Sequence, residues 1–167
     1  MRRLLIFFLA LAALWYYFVG GRRMDEAQIR TAYDRYWTAF YNDDRKAICD
    51  MFDNDFSAKI TTETPKGAVT ETADRKRACE DTKQFFDMKD AMEAKLGQEL
   101  YVNMEHTIDS IQLSADRKSA TVEMSFEIRI GTEHRLFMKI TGSQTDTAIR
   151  RMGKVKFLNS ESEVFFY

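Results

Sequence analysis

Two tyrosines and two aspartates are the residues of this chain whose types could support proton chemistry. Tyr33 and Tyr36 fall on a predicted helix, and Asp53 and Asp55 precede the first predicted strand. A tyrosine can donate a hydrogen bond to an intermediate while an aspartate moves a proton. The structural interpretation also fits, because tyrosines on an apolar stripe belong to a core and aspartates at a helix end face water. No catalytic motif accompanies these residues, so the sequence assigns no catalytic residue.

Residues that could bind a metal or a cofactor lack the partners that such sites need. His106 and His134 are far apart in the sequence, and a two-histidine zinc site requires further ligands that we do not find. The run Asp53-Asn54-Asp55 lacks the glycine and the distal glutamate of a calcium-binding EF-hand loop. There is also no P-loop, G-x-S-x-G or H-E-x-x-H motif. We therefore expect neither a metal nor a cofactor.

Five apolar residues are candidates for the wall of a ligand pocket. Tyr33, Trp37 and Phe40 recur at three- and four-residue spacing and so share one face of a helix. Phe126 and Ile128 occupy alternate positions of a predicted strand and so share one face of a sheet. The alternative is that all five are ordinary core residues. Trp37, one helical turn from both Tyr33 and Phe40, is predicted to anchor that core.

Cys49 and Cys79 are the only cysteines. They do not form a C-x-x-C pair, which argues against metal ligation and against a thioredoxin-type role. Two cysteines in an exported domain often pair, so Cys49 and Cys79 are a candidate disulfide. The alternative is two buried free thiols that behave as small apolar side chains.

The chain begins with an apolar segment that points to a membrane. Residues 4–19 contain no charge and are flanked by Arg2-Arg3 and by Arg22-Arg23. The run would cover roughly 24 Å of a ~30 Å hydrocarbon core. A small-residue cleavage site at residues 10–12 lies inside the run, which favours an uncleaved anchor over a cleaved signal, although cleavage stays open. Because the start is basic, we expect a single-pass membrane protein with its main domain exported.

The charge composition of the segment after this anchor limits the partners that it can bind. We divide the chain into residues 1–24, the anchor and its flanks, and residues 25–167, one α+β domain. Four of the 25 Lys and Arg residues lie before residue 25, which leaves 21 of them against 26 Asp and Glu and a net charge near −5. This acidic balance argues against nucleic acid as a partner and against a broad attachment to anionic lipid.

Hydrophobic periodicity predicts helices first and strands later. Residues 25–41 are a strongly amphipathic helix, and a shorter helix follows with Ala47, Ile48, Met51 and Phe52 on one face. Residues 53–55 are predicted to end that short helix. A third helix is expected over residues 73–96, with Gly97 as its stop. Strands are predicted at residues 56–62, 68–72, 101–113, 120–130, 135–142, 145–151 and 154–158.

This order of elements resembles the nuclear transport factor 2-like superfamily, including its SnoaL-like members. The segment AICDMFDNDFSAKI is similar to that family's second helix running into its first strand, and IDSIQLSADRKSATVEMSFEI is similar to its central hairpin. The resemblance implies an α+β fold in which helices pack on a curved antiparallel sheet and enclose a conical pocket. It also implies that the domain belongs to a group in which some members are isomerases, dehydratases or hydrolases and others only bind or assemble.

From these observations we expect a membrane-anchored accessory or scaffolding domain of the cell envelope that binds a protein partner or a small apolar ligand. A cone-pocket enzyme of the isomerase, dehydratase or hydrolase type is one alternative, and a structural module with a filled pocket is another. Dimerisation is open, but the polar outward residues Thr121, Glu123 and Ser125 do not favour dimerisation through the sheet.

Overall fold

The computed structural model describes residues 2–15 and 23–167. Residues 16–19 of the predicted anchor and residues 20–22 after it lie outside this part. The described helices are α1 (Arg2–Trp15), α2 (Glu26–Tyr41), α3 (Arg45–Met51) and α4 (Arg75–Leu96). The strands are β1 (Phe52–Thr64), β2 (Gly67–Asp74), β3 (Tyr101–Leu113), β4 (Ser119–Thr132), β5 (Arg135–Arg151) and β6 (Lys154–Phe166).

Among the described residues, no helix is both long enough and apolar enough to cross a membrane. The helix that contains the start of the predicted anchor, α1, has 14 residues.

Local side-chain chemistry sets the ends of the other helices. Asp25 caps α2 by accepting a hydrogen bond from the Gln28 backbone N–H, and the Gln28 side chain bonds back to the Asp25 N–H. Asp44 and Asp74 cap α3 and α4 in the same acceptor role. As predicted, α4 ends at Gly97, whose φ of 68° is easily reached only without a Cβ.

The six strands form one mixed sheet in the order β2-β1-β6-β5-β4-β3. All neighbouring strands are antiparallel except β1 and β6, which are parallel. Register shifts interrupt the β3–β4 pairing after Ile108, the β4–β5 pairing after Ile130 and the β5–β6 pairing after Thr147. Such bulges bend strands and increase their twist, so the sheet curves. This is the α+β architecture with a curved sheet that the sequence predicted. The expectation of an entirely antiparallel sheet was wrong, because β1 and β6 pair in parallel.

The core lies between the helices and the concave face of this sheet. Ile29 of α2 and Ile48 of α3 are fully buried, as are Val122 and Met124 of β4. The opposite, convex face is polar: the residues that share it across β1, β6, β5 and β4 include Lys59, Thr61, Glu161, Glu163, Thr145, Ser143, Glu123 and Ser125. One apolar and one polar face are what an alternating strand pattern requires.

Three predicted boundaries were wrong. Residues 53–55 do not end α3 but belong to β1, which starts at Phe52. Residues 135–151 form one continuous strand, not two, and the last strand extends to residue 166, beyond its predicted end at residue 158. Since β5 and β6 each pair with two neighbours, backbone hydrogen bonds hold them in strand conformation where their side chains are polar.

Candidate functional site

A cavity of about 260 Å³ lies between the concave face of the sheet and the helices α2 and α4. Strands β1, β5 and β6 form its floor, and Ala78, Asp81 and Thr82 of α4 contribute to its cover. Six of its sixteen lining residues are aromatic: Tyr33, Tyr36, Trp37, Phe52, Phe56 and Phe157. Besides Asp81 and Thr82 on α4, its polar residues lie on β5 and β6: Gln144, Asp146, Ser160 and Ser162.

Asp146 is the central polar group of this cavity. It sits in the middle of β5 and is 2% exposed. The hydroxyl of Tyr33, from α2, donates a hydrogen bond to Asp146 Oδ2 at 2.5 Å. Since Tyr33 is also 2% exposed, this helix-to-sheet contact is shielded from water.

Every other hydrogen bond to the Asp146 carboxyl also comes from a neutral donor. Gln144 Nε2 lies 2.8 Å from Oδ1 and 2.9 Å from Oδ2. The Ser160 side chain, which faces Asp146 across the β5–β6 pair, is a further donor. Asp146 makes no ion pair with any residue that the structure describes. A carboxylate without a cationic partner is costly to bury, so this arrangement favours its protonated form.

The pKa values in the cavity follow from this burial. Loss of solvation raises the pKa of Asp146, although its hydrogen bonds with Tyr33, Ser160 and Gln144 oppose the rise. Burial first, and the negative charge of Asp146 second, raise the pKa of Tyr33 far above its ordinary value. The same two causes raise the pKa of Tyr36 to about 12. Both phenols therefore keep their protons near neutral pH and act as hydrogen-bond donors.

Of the five predicted pocket residues, the structure places Tyr33 and Trp37 at this cavity. Phe40 packs instead against Phe85 and Phe86 of α4, with ring centroids 5.4 Å and 5.2 Å away. Phe126 and Ile128 lie on the same concave sheet face but are not among the lining residues of this cavity.

Trp37 both lines the cavity and packs against the core. Its ring lies 4.8 Å from Tyr36, 6.4 Å from Phe40 and 4.9 Å from His106. Its indole Nε1 is buried and has no hydrogen-bond partner among the described residues. An unpaired buried donor in a cavity wall is a place where a ligand acceptor would gain a hydrogen bond.

The predicted aspartates lie elsewhere. Asp53 is buried at the start of β1, where its Oδ2 pairs with Arg151 Nε at 3.2 Å, and Asp55 is exposed. Neither residue lines the cavity. The sequence pattern therefore identified the tyrosine and not the aspartate. The signal for Asp146 was present in the form of polar residues at the inward positions of β5 and β6, namely Gln144, Asp146, Ser160 and Ser162.

The other predicted ligands remain apart. His106 stacks on Trp37, and burial lowers its pKa; His134 is exposed in the β4–β5 turn. Within residues 2–15 and 23–167, no cluster of His, Cys, Asp and Glu side chains could hold a metal ion. Cys49 of α3 and Cys79 of α4 are joined as a disulfide, with Cα atoms 5.5 Å apart.

No protein-family model matches the chain, and no curated protein sequence matches it. Solved structures do share its fold. A conserved protein from Planctomyces limnophilus is 15% identical and superposes with a TM-score of 0.63, covering 86% of this chain and 98% of its own. A ketosteroid isomerase-like protein from Erwinia carotovora is 14% identical, with a TM-score of 0.56, and covers 84% of this chain and 98% of its own.

A third similar structure is a nuclear transport factor 2-like protein from Cytophaga hutchinsonii, 14% identical with a TM-score of 0.55. It covers 84% of this chain and 98% of its own. At these identities the similarity concerns the fold alone. The described domain thus has the conical fold of nuclear transport factor 2-like proteins, as the order of its elements predicted.

Proposed function

We propose that the domain is a cone-pocket enzyme that moves a proton on a small, largely apolar substrate, in the manner of an isomerase or a dehydratase. The observation that supports this is the buried Tyr33–Asp146 pair, in which a carboxyl group without a cation lies in an otherwise aromatic cavity. A carboxyl group with a raised pKa binds a proton more tightly than a surface aspartate does, which suits a general base or acid near neutral pH.

The chemistry would use the two kinds of polar group together. The Asp146 carboxylate would accept a proton from a carbon next to a substrate carbonyl group. The electron pair of the broken C–H bond would form a C=C bond, and the carbonyl oxygen would become an enolate. Tyr36, which lines the cavity, is a hydrogen-bond donor for that oxygen, and Tyr33 can serve in the same way only when it releases Asp146. Return of the proton at another carbon completes an isomerisation. In a dehydration the enolate re-forms the carbonyl and an α,β C=C bond while the β C–O bond breaks, and the Asp146 carboxylic acid gives its proton to the hydroxyl group, which leaves as water.

Solvent exchange tests this proposal even while the natural substrate is unidentified. The protein would be incubated in D₂O with small apolar ketones, and deuterium incorporation next to the carbonyl would be followed by NMR. We expect exchange with the parent protein and a loss of about 10²–10⁴-fold in Asp146→Asn. The matched control is Asp53→Asn, a buried aspartate outside the cavity, which should exchange like the parent. Equal rates in Asp146→Asn and the parent would exclude Asp146 as the base.

A second candidate is binding of a small apolar ligand without turnover, which the aromatic wall and the unpaired Trp37 Nε1 favour. Quenching of tryptophan fluorescence by added apolar ketones would measure such binding. Binding that persists in Asp146→Asn, with no exchange in any variant, would support the binding domain over the enzyme.

The proposal also includes a location at a membrane, with residues 4–19 as the anchor and residues 25–167 on the exported side. The absence of charge in that run supports it, as does the outward exposure of the described α1 side chains Ile6, Phe7, Phe8 and Leu9. A reporter active only outside the cytoplasm, fused after Tyr167, should give signal. Signal only from a matched cytoplasmic reporter would contradict this orientation.

A further inference from the structure

The hairpin turn between β5 and β6 is an unusual piece of surface. Met152 and Gly153 form its two-residue loop, with φ angles of 49° and 79°. Turns with two positive φ angles normally hold Asn, Asp or Gly, and a long side chain is disfavoured there. Met152 is nevertheless 89% exposed, more than any other large apolar residue in the described part of the chain. Neither turn geometry nor core packing explains this methionine.

Cations surround this apolar apex. Residues 150–156 include Arg150, Arg151, Lys154 and Lys156 and contain no acid. The adjacent β3–β4 turn adds Arg117 and Lys118. A backbone hydrogen bond from Arg150 N to Lys118 O, at 3.3 Å, holds the two hairpins side by side. The domain as a whole has a net charge near −5, but the end that carries the exposed Met152 is basic.

Acidic groups neutralise only part of this end. Lys118 pairs with Asp116 at 3.6 Å, and Arg151 pairs with Asp53 and Asp55 at 3.2 Å and 3.8 Å. Arg117 and Lys154 are both exposed and make no ion pair with any residue that the structure describes. These two side chains are therefore free to bind external anions.

Arg23 and Met24, which begin the described range 23–167, lie at this same end. The backbone N–H of Met24 donates to the carbonyl of Arg117 at 2.7 Å, and the Arg150 guanidinium donates to the carbonyl of Arg23. Arg23 and Met24, four and five residues after the predicted anchor, are thus held between the two basic hairpins. If residues 4–19 span a bilayer, both hairpin tips stand within a few residues of its surface.

We infer that this end of the domain is a membrane-docking surface, on which Met152 inserts between headgroups while Arg117, Lys154 and their basic neighbours bind anionic lipid. Basic residues next to a membrane segment are attracted to anionic headgroups, and an exposed apolar side chain gains by entering the interface. The inference rests on the proposed anchor and is independent of the proposed chemistry. Docking would hold the domain in one orientation.

The test uses the full chain, reconstituted in vesicles of phosphatidylcholine with or without phosphatidylglycerol. A fluorophore is attached to M152C under non-reducing conditions, and quenching by headgroup-spin-labelled lipid reports proximity to the surface. We expect strong quenching in the anionic vesicles, little in the neutral ones, and a decrease with added salt because salt screens the charges. The same fluorophore on K66C, at the opposite end of the sheet, should not be quenched.

Reversing the charge of these cations tests the docking surface independently of the proposed membrane anchor. Arg117→Glu with Lys154→Glu should lower the ratio of docked to undocked domain about tenfold or more. Lys66→Glu with Arg135→Glu, two exposed cations at the opposite end, should leave the ratio unchanged. Protein that sediments with the anionic vesicles but shows no quenching at position 152 at low salt would overturn the docking surface and keep the anchor. Protein that fails to sediment would overturn both.

Discussion

Two aspartates are buried in this domain, and they differ in their partners. Asp53, at the start of β1, faces the guanidinium of Arg151 at 3.2 Å. Asp146, in the middle of β5, receives hydrogen bonds only from neutral side chains. The first arrangement is an ion pair that fastens β1 to the end of β5. The second would leave the ionised carboxyl group uncompensated. A purely structural role would not require this cost, because an apolar residue could fill that position more cheaply.

Their surroundings strengthen this contrast. Ala148, two residues after Asp146 on the same inward face of β5, is fully buried in the apolar core. The inward face of β5 therefore changes from cavity wall at Asp146 to apolar core at the next inward residue, Ala148. A polar group at such a boundary, inside an aromatic cavity, is more simply explained by ligand or substrate chemistry than by stability.

The largest expected effect concerns a link that the two regions share. The Cys49–Cys79 disulfide joins α3, which runs directly into β1 before Asp53, to α4, which covers the Asp146 cavity. Closing a loop with a sequence separation of 30 residues should contribute about 3–4 kcal/mol on the chain-entropy model. Replacing both cysteines with serine should lower the free energy of unfolding in urea by that amount. Thiol labelling of the unfolded, non-reduced parent should find no free cysteine, and two labels per chain would refute the bond.

Removing one neutral donor should have the next largest effect. Tyr33→Phe deletes the hydroxyl that donates to Asp146 Oδ2 and leaves the buried carboxyl with fewer partners. We expect a loss of about 1–3 kcal/mol in unfolding free energy at neutral pH. Tyr167→Phe, at an exposed site, is the control and should melt like the parent. A Tyr33→Phe protein as stable as its parent would mean that the phenol is not needed to hold Asp146.

The pH dependence of stability, compared between the parent and Asp146→Asn, should test the Asp146 carboxyl group most directly. Because the folded-state pKa is raised above the ordinary value of 3.8, the folded protein binds this proton more tightly than the unfolded chain does. The stability that this proton contributes is fully present below the ordinary pKa of 3.8 and is lost as the pH rises through the folded-state pKa. Each unit of difference is worth about 1.4 kcal/mol.

Asparagine does not titrate, so the variant should gain stability relative to the parent as the pH rises. Urea unfolding from about pH 3 to about pH 8 would measure the difference at each pH. We expect the stability of Asp146→Asn relative to the parent to increase with pH, and its deuterium exchange activity to be lost. A constant difference across that range would mean that burial does not perturb the carboxyl group.

Sequence periodicity was sufficient for most of the fold and insufficient for the site, for one physical reason. Alternation identified β4 because Ala120, Val122 and Met124 all point into an apolar core. It divided β5 and ended β6 too early, at residue 158, because the inward positions of both strands change from apolar to polar where the cavity lies. The residues that form the polar end of the cavity are thus the ones that make the strand pattern fail. Strand pairing of β5 with β6, which a pattern of single residues does not encode, brings Asp146 opposite Ser160.

The helix side of the site was easier to predict than the sheet side. Tyr33 and Trp37 belong to a stripe whose spacing places them on the buried face of α2. No such rule connects Tyr33 to Asp146, which is 113 residues away in the sequence. Asp53 and Asp55 are nearer to Tyr33 in the sequence and so are the aspartates that the pattern suggests, but the structure shows Asp53 in an ion pair.

The smallest expected effect belongs to that ion pair. Asp53→Asn removes the charge that faces Arg151, but Arg151 is 57% exposed and can return to water. An ion pair with one exposed partner is weakened by solvent and salt, so the loss should be about 1 kcal/mol or less at neutral pH and should shrink further at high salt. Urea unfolding at low and high ionic strength would measure it. The two aspartates should differ in the sign of their effect on stability. Removing the charge of Asp53 should destabilise the protein, whereas removing the charge of Asp146 should stabilise it. If both variants stabilise the protein at neutral pH, then Arg151 does not compensate Asp53, and the absence of a cation can no longer single out Asp146 as the chemical group.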